Sequence, residues 1–250
     1  MSLRSRTRLT GAFYIPGFPN GVKWLLISNV VIFIIGFFAQ LARLDGPLGY
    51  LALTPAAVVK DFFLWQLATY AFLHGGFLHI IFNMLALWMF GAELERIWGT
   101  RRFIRFYMFC AVGAGICVVI ANYVLPWGNP NGATIGSSGA IFGILLVYAM
   151  TFPDREILWA FLIPIKVKYF VMIIGTVAFM SSFQANSGVS NFAHLGGLLF
   201  GYLFVKTPDL QFDPVAPVRR QYRDWKLQRA KKKFQVYLRK HGPGGGPRVH

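Results

Sequence analysis

The chain has 250 residues, of which 56% are hydrophobic and 14% charged, with a formal net charge of +16 and two cysteines. So apolar a composition excludes an ordinary soluble domain and a disordered chain, and marks a membrane protein. The positive charge could suit nucleic acid, but it flanks apolar runs or lies in the C-terminal tail, so anionic lipid accounts for it and no nucleic-acid partner is expected.

Residues 1–23 read as a basic segment carrying Arg4, Arg6, Arg8 and Lys23. No cleavable signal is expected, because Pro and Gly follow the arginines and the next apolar run is too long for a signal core. Six apolar runs then follow, at 24–42, 79–98, 103–125, 138–152, 169–183 and 192–205. About 20 residues cross a hydrocarbon core of about 30 Å, so the runs predict six spans, some of them short, within a membrane domain at 24–207. Between the first two, residues 43–78 form a long, mostly apolar loop expected at the membrane interface, with Trp65 and Tyr70 near headgroup level. Cys110 and Cys117 share the third run about 10 Å apart along a helix, too far to bridge. Residues 208–250 form a basic tail, expected to begin with an amphipathic helix at 216–240 that meets anionic lipid and to end in a disordered Gly- and Pro-rich stretch.

Charge sets the orientation. With six spans and both termini on one side, only Arg43 and Lys60 of the 25 basic residues fall on the other. The positive-inside rule therefore predicts cytoplasmic termini. No internal repeat is visible, which gives a two-fold transporter no support.

The fourth run is the shortest. From Ser138 to Thr151, ahead of Phe152 and Pro153, it predicts about 21 Å of helix against about 30 Å of hydrocarbon. A helix leaving from the cytoplasmic side stops short, and the preceding turn, GSSG at 136–139, falls inside the membrane plane. Irregular backbone at that depth must be enclosed by protein or line a wet cavity.

Ionisable residues expected within the membrane are few, His74, His79 and His194, with Asn83, Ser137 and Ser138 beside them. Glu93 and Glu95 stand near the cytoplasmic end of the second span, so the interior offers no carboxylate pair for an aspartyl mechanism, and no H-E-x-x-H zinc motif exists. A metal held by three histidines stays open on composition alone. The remaining chemistry is a hydroxyl nucleophile activated by an imidazole base. His194 lies beside Gly197 and Gly201, whose small-xxx-small spacing lets helix backbones approach closely, and Gly139 and Ala140 offer a small surface at the start of the fourth span. His79 and Asn83, four apart, share a helix face, and both can donate hydrogen bonds to a developing oxyanion.

In this order, WQLATYAFLHGGFLHIIFNM, GAELERIWGTRRF, GSSG and AHLGGLLFG resemble the motifs of the rhomboid family of intramembrane serine proteases, from about Trp65 to Tyr202. The resemblance implies an all-α, six-transmembrane-helix bundle with a short central fourth helix, around a wet cavity open to the outside. It implies that Ser138 is the nucleophile and His194 the base, in a dyad without aspartate. It further implies that His79 and Asn83 stabilise the oxyanion, that His74 is structural and that Ser137 fills the variable position. Phe142 stands where the family often has Tyr, and an aromatic ring there can pack on His194. No cofactor or metal is implied. Substrates would be transmembrane segments of other proteins, unwound locally and admitted past the fifth span and the loop SFQANSGVS, in a bacterial inner membrane. Two other readings are weighed against this one: a catalytically inactive rhomboid-like adaptor for membrane-protein clients, whose mark would be a missing serine or histidine, and a channel or transporter, which would call for intramembrane carboxylates or repeat symmetry.

Overall fold

Inside lipid every backbone N–H needs a partner within the protein, and an apolar run meets that demand by becoming a helix. The structure, a computed structural model, describes residues 18–44, 46–159, 163–183, 188–207 and 216–241, and the long apolar runs are helical throughout. Helix α1 spans Asn20–Leu41; the short helices α2 (Gly46–Gly49), α3 (Pro55–Lys60) and α4 (Gln66–Thr69) follow in the loop. The second crossing, Phe77–Trp98, consists of α5 (Phe77–Ala86) and α6 (Ala92–Trp98), joined by a π turn at Leu87–Gly91. Then come α7 (Thr100–Val124), α8 (Ser138–Thr151), α9 (Val167–Ser181) and α10 (Gly188–Lys206). The protein is an integral, multi-pass, all-α bundle of the expected class.

Two details differ from expectation. Helix α1 starts at Asn20, four residues before the predicted Trp24, because the Glu95 carboxylate accepts the N–H groups of Gly21 and Val22, each at 2.7 Å. Those first-turn donors have no acceptor within their own helix, so a carboxylate brought from α6 extends the helix to meet it. Glu95 is only 2% exposed and also takes the Thr100 hydroxyl at 2.5 Å. Between α8 and α9, the backbone turns as an antiparallel ribbon of β1 (Glu156–Trp159) and β2 (Ile163–Lys166), in register Glu156 to Lys166 and Trp159 to Ile163. At this end Glu93 ties the second crossing to the fourth, pairing with Arg155 and accepting the Tyr148 hydroxyl at 2.8 Å. Asp154 accepts from Lys168 at 2.8 Å and from Lys166 at 3.3 Å.

The centre of the bundle is α8, most of whose residues are buried, and α10 makes its most extensive contacts with α7 and α8. Small residues set that spacing. A Cβ added to Gly139 would lie 2.6 Å from Ala114 Cβ and 3.1 Å from the Ala193 carbonyl; one added to Gly201 would lie 2.9 Å from Gly143 Cα. Gly197 fits directly against the Gly139 carbonyl. By contrast α1 and α9 expose apolar side chains such as Trp24, Phe38, Met172 and Val177. In lipid such exposure carries no penalty, which is why an outward face and an inward face can look alike in sequence.

The 43–78 loop is a folded layer rather than a floating strap. Thr69 Oγ1 donates to Leu51 O at 2.8 Å, Trp65 Nε1 to Tyr50 O at 3.0 Å, and Gln66 Oε1 accepts Thr54 N at 3.0 Å. Tyr70 corrects an expectation: it is 1% exposed, enclosed by protein rather than facing headgroups, with its hydroxyl donating to Ala111 O at 2.8 Å. A buried phenol needs such a partner, and the α7 backbone supplies it.

The chain divides into two units at Thr207 and Pro208. In the second, α11 (Ala216–His241) is helical where a basic helix was expected, but it is not amphipathic. Trp225 and Phe234, both exposed, are nine residues apart, about two and a half turns, and so lie on opposite sides. Arg229 stacks over Trp225 at 4.3 Å, and Tyr222 stacks on the same ring. The disordered end expected after it lies outside the described residues, as do 1–17.

Candidate active site

The turn ahead of α8 is held by the loop layer. Leu53 and Thr134 exchange backbone hydrogen bonds at 3.0 and 2.9 Å, Ala56 N reaches Pro130 O at 2.8 Å, and Gly136 N donates to Tyr70 O at 2.9 Å. Gly136 has φ of +120°, a backbone conformation that disfavours any side chain, and a Cβ there would lie 2.7 Å from the His79 ring. Both facts require the first glycine of GSSG. The turn is thereby fastened to the loop layer.

Ser138 is the first residue of α8, partly exposed, and its hydroxyl lies 2.9 Å from His194 Nε2 on α10. With the imidazole proton on Nδ1, Ser138 donates and Nε2 accepts. The glycine contacts between α8 and α10 permit that approach, and Phe142, one turn along α8, stacks flat on the imidazole with centroids 4.2 Å apart and planes at 7°. Ring stacking on one face restricts the rotation of the His194 imidazole.

Ser137 sits next door with a histidine of its own. Its hydroxyl is 3.2 Å from His74 Nε2, yet Ser137 is 0% exposed. Two Ser–His pairs thus exist where the sequence suggested one, and burial separates them: Ser138 is partly exposed and Ser137 is not. Sequence reasoning missed the second pair because no spacing signal, such as the glycine stripe beside His194, links His74 to Ser137. The His74 ring stands edge-on to His79, centroids 5.0 Å apart at 64°.

His79 packs against Gly136, two residues before Ser138. Asn83, one turn farther along α5, is buried, and its Nδ2 has no hydrogen-bond partner among the described residues. A buried amide donor without an acceptor costs about 1–3 kcal/mol, so its persistence suits a site that receives an acceptor during function. The N–H groups at the start of α8 likewise lack intrahelical acceptors, and Ser137, although in the N-cap position, makes no side-chain capping bond to them. Among the described residues no cluster of three or more His, Cys, Asp or Glu could hold a metal ion. The loop SFQANSGVS, expected to form part of the gate, lies partly outside the described residues, at 184–187.

A family model described as Rhomboid domain matches residues 62–207, more than half of the chain and every residue of this site. The chain belongs to the rhomboid family. Among relatives of this rhomboid protein, YdcA of Bacillus subtilis (strain 168) is 37% identical over 142 residues, covering 56% of this chain and 64% of that protein. The rhomboid protease GluP of the same organism is 38% identical over 140 residues, 55% of this chain and 25% of GluP. Rhomboid-type serine protease 2 of Emericella nidulans is 31% identical over 160 residues, 60% of this chain and 29% of that protein. The chain therefore spans less than two thirds of each of these relatives.

Proposed function

We propose that this rhomboid is an intramembrane serine endopeptidase that cuts transmembrane segments of other membrane proteins with Ser138 and His194. The observation that carries the reading is the 2.9 Å approach of His194 Nε2 to the Ser138 hydroxyl, at the start of a helix of 14 residues, in a chain of this family.

In this mechanism Ser138 Oγ attacks the scissile carbonyl while His194 Nε2 takes its proton. The carbonyl oxygen becomes an oxyanion, met by the Ser138 backbone N–H and by His79 and Asn83. The imidazolium then gives its proton to the leaving amine, the C–N bond breaks, and an acyl ester remains on Ser138. Water, deprotonated by His194, attacks the ester and frees the serine. Phe142 keeps the imidazole in line through both steps. Because peptide bonds in a helix are shielded, the substrate segment must unwind to present its carbonyl, and α9 with the loop after it is the gate through which it enters. The mechanism needs no cofactor or metal.

The membrane domain at 24–207 lies between the basic segments 1–23 and 208–250, with both termini at the cytoplasmic face of a bacterial inner membrane, where anionic lipid attracts the tail. The decisive experiment is cleavage of a panel of single-span reporters in liposomes, with cut sites mapped by mass spectrometry. Cuts inside the spanning segment that vanish in Ser138→Ala are expected; cuts that persist in Ser138→Ala would overturn the proposal.

A further inference from the structure

The mechanism above leaves one polar group unused. Ser137 holds the N-cap position of α8, where a serine hydroxyl ordinarily accepts an N–H of the first turn and contributes about 1 kcal/mol. Here it forgoes that bond. Its hydroxyl instead meets His74 Nε2 at 3.2 Å, in a place with 0% exposure. His74 in turn stands edge-on to His79, and His79 lies against Gly136, the residue immediately before Ser137. The contacts therefore close a ring: Gly136 and Ser137 on the turn, His74 on the loop layer, and His79 on α5.

We infer that Ser137 is a positioning residue: through His74 it fixes the ring of His79 in the orientation that meets the oxyanion. This rests on the protease reading. Imidazole rotation about its own side-chain bonds would otherwise let His79 turn away from the turn, since on its own helix it is only partly buried. Gly136 blocks one side of the ring, and His74, pinned by the Ser137 hydroxyl, blocks another. Diverting the Ser137 hydroxyl also leaves the first-turn N–H groups of α8 without a side-chain cap, so they stay available to the same oxyanion. One hydroxyl thus serves the site twice, by what it binds and by what it leaves unbound.

The test is a double-mutant cycle on kcat and KM of the purified full-length protein with a single-span reporter. Ser137→Ala is expected to lower kcat about tenfold with KM unchanged, the size of one hydrogen bond that acts only in the transition state. In a His79→Ala background the same change should have little further effect, because the group it positions is gone. An equal loss in both backgrounds would overturn the inference, as would a Ser137→Ala protein as active as wild type, or one whose loss falls wholly in KM. Should Ser137→Ala fail to fold, as read by its thermal midpoint in micelles, His74→Gln enters the same cycle with the same expected pattern and the same overturning outcomes. Ser138→Ala keeps the two proposals apart: cleavage surviving in that variant sinks the protease reading, whereas an additive cycle with Ser138-dependent cleavage sinks this one alone.

Discussion

Two serine–histidine pairs lie side by side in this protein, built from adjacent serines, and they differ in what holds them and in what can reach them. Ser138 and His194 come from two helices, α8 and α10, brought together along a seam of glycines, and Ser138 is partly exposed. Ser137 and His74 come from a turn and a loop, fastened by backbone bonds from Leu53, Ala56 and Tyr70, and Ser137 is wholly buried. Proximity of a hydroxyl to an imidazole is thus not enough to make a nucleophile. A reacting carbon must also reach the oxygen, and of the two serines only Ser138 has exposed surface.

The sharpest way to break the comparison is covalent labelling. A fluorophosphonate should label wild type and Ser137→Ala but not Ser138→Ala; labelling that followed Ser137 would reverse the two assignments. His194→Ala should slow reporter cleavage by about 10²- to 10⁴-fold, the range for a positioned general base, while His74→Ala should cost far less. Next in size is the donor that waits without a partner. Asn83→Ala should lower kcat by about 10²- to 10³-fold with the fold intact by thermal melting, as for loss of one oxyanion donor.

A smaller effect tests the seam. Gly197→Ala places a methyl on the Gly139 carbonyl and should destabilise the bundle by about 1–3 kcal/mol, with activity falling alongside, as overpacking does. Gly175→Ala on α9, where the nearest atom would be Leu198 Cδ1 at 3.4 Å, should be nearly silent, and denaturation in mixed micelles compares the two. The smallest effect lies at the far end of α8. Hydrogen bonds from Lys168, and then Lys166, hold the Asp154 carboxyl below its ordinary value of 3.8. Its stabilisation is therefore present above that value and is lost as pH falls through the lower, folded one. Asp154→Asn should lower the thermal midpoint slightly at neutral pH, the difference should vanish in strong acid, and cleavage at neutral pH should not change.

Much of this was legible in the chain. Composition and run length give a helical membrane protein, and the fourteen residues from Ser138 to Thr151 form the short helix that the sequence predicts. The glycine spacing around His194 correctly indicates close packing, and the structure sets Gly197 on Gly139. Tyr70 was misplaced because an aromatic ring beside an apolar loop has the same sequence signature at a membrane interface as in a buried layer. The early start of α1 and the ribbon between α8 and α9 were invisible for related reasons, one depending on a carboxylate some seventy residues away and the other on a short pairing without alternation.

By itself the sequence determined the solvent and the approximate extent of the apolar helices, because each of these is a local property of hydrophobicity and residue type. Which serine faces which histidine was decided only by tertiary structure. Ser137 and Ser138 are chemically identical and adjacent, and along the chain each has the same histidines at nearly the same separations. Their difference arises where α8 begins: one residue earlier, the hydroxyl turns into the protein toward His74, and at the first helical position it turns toward α10, where glycines allow His194 within hydrogen-bond distance.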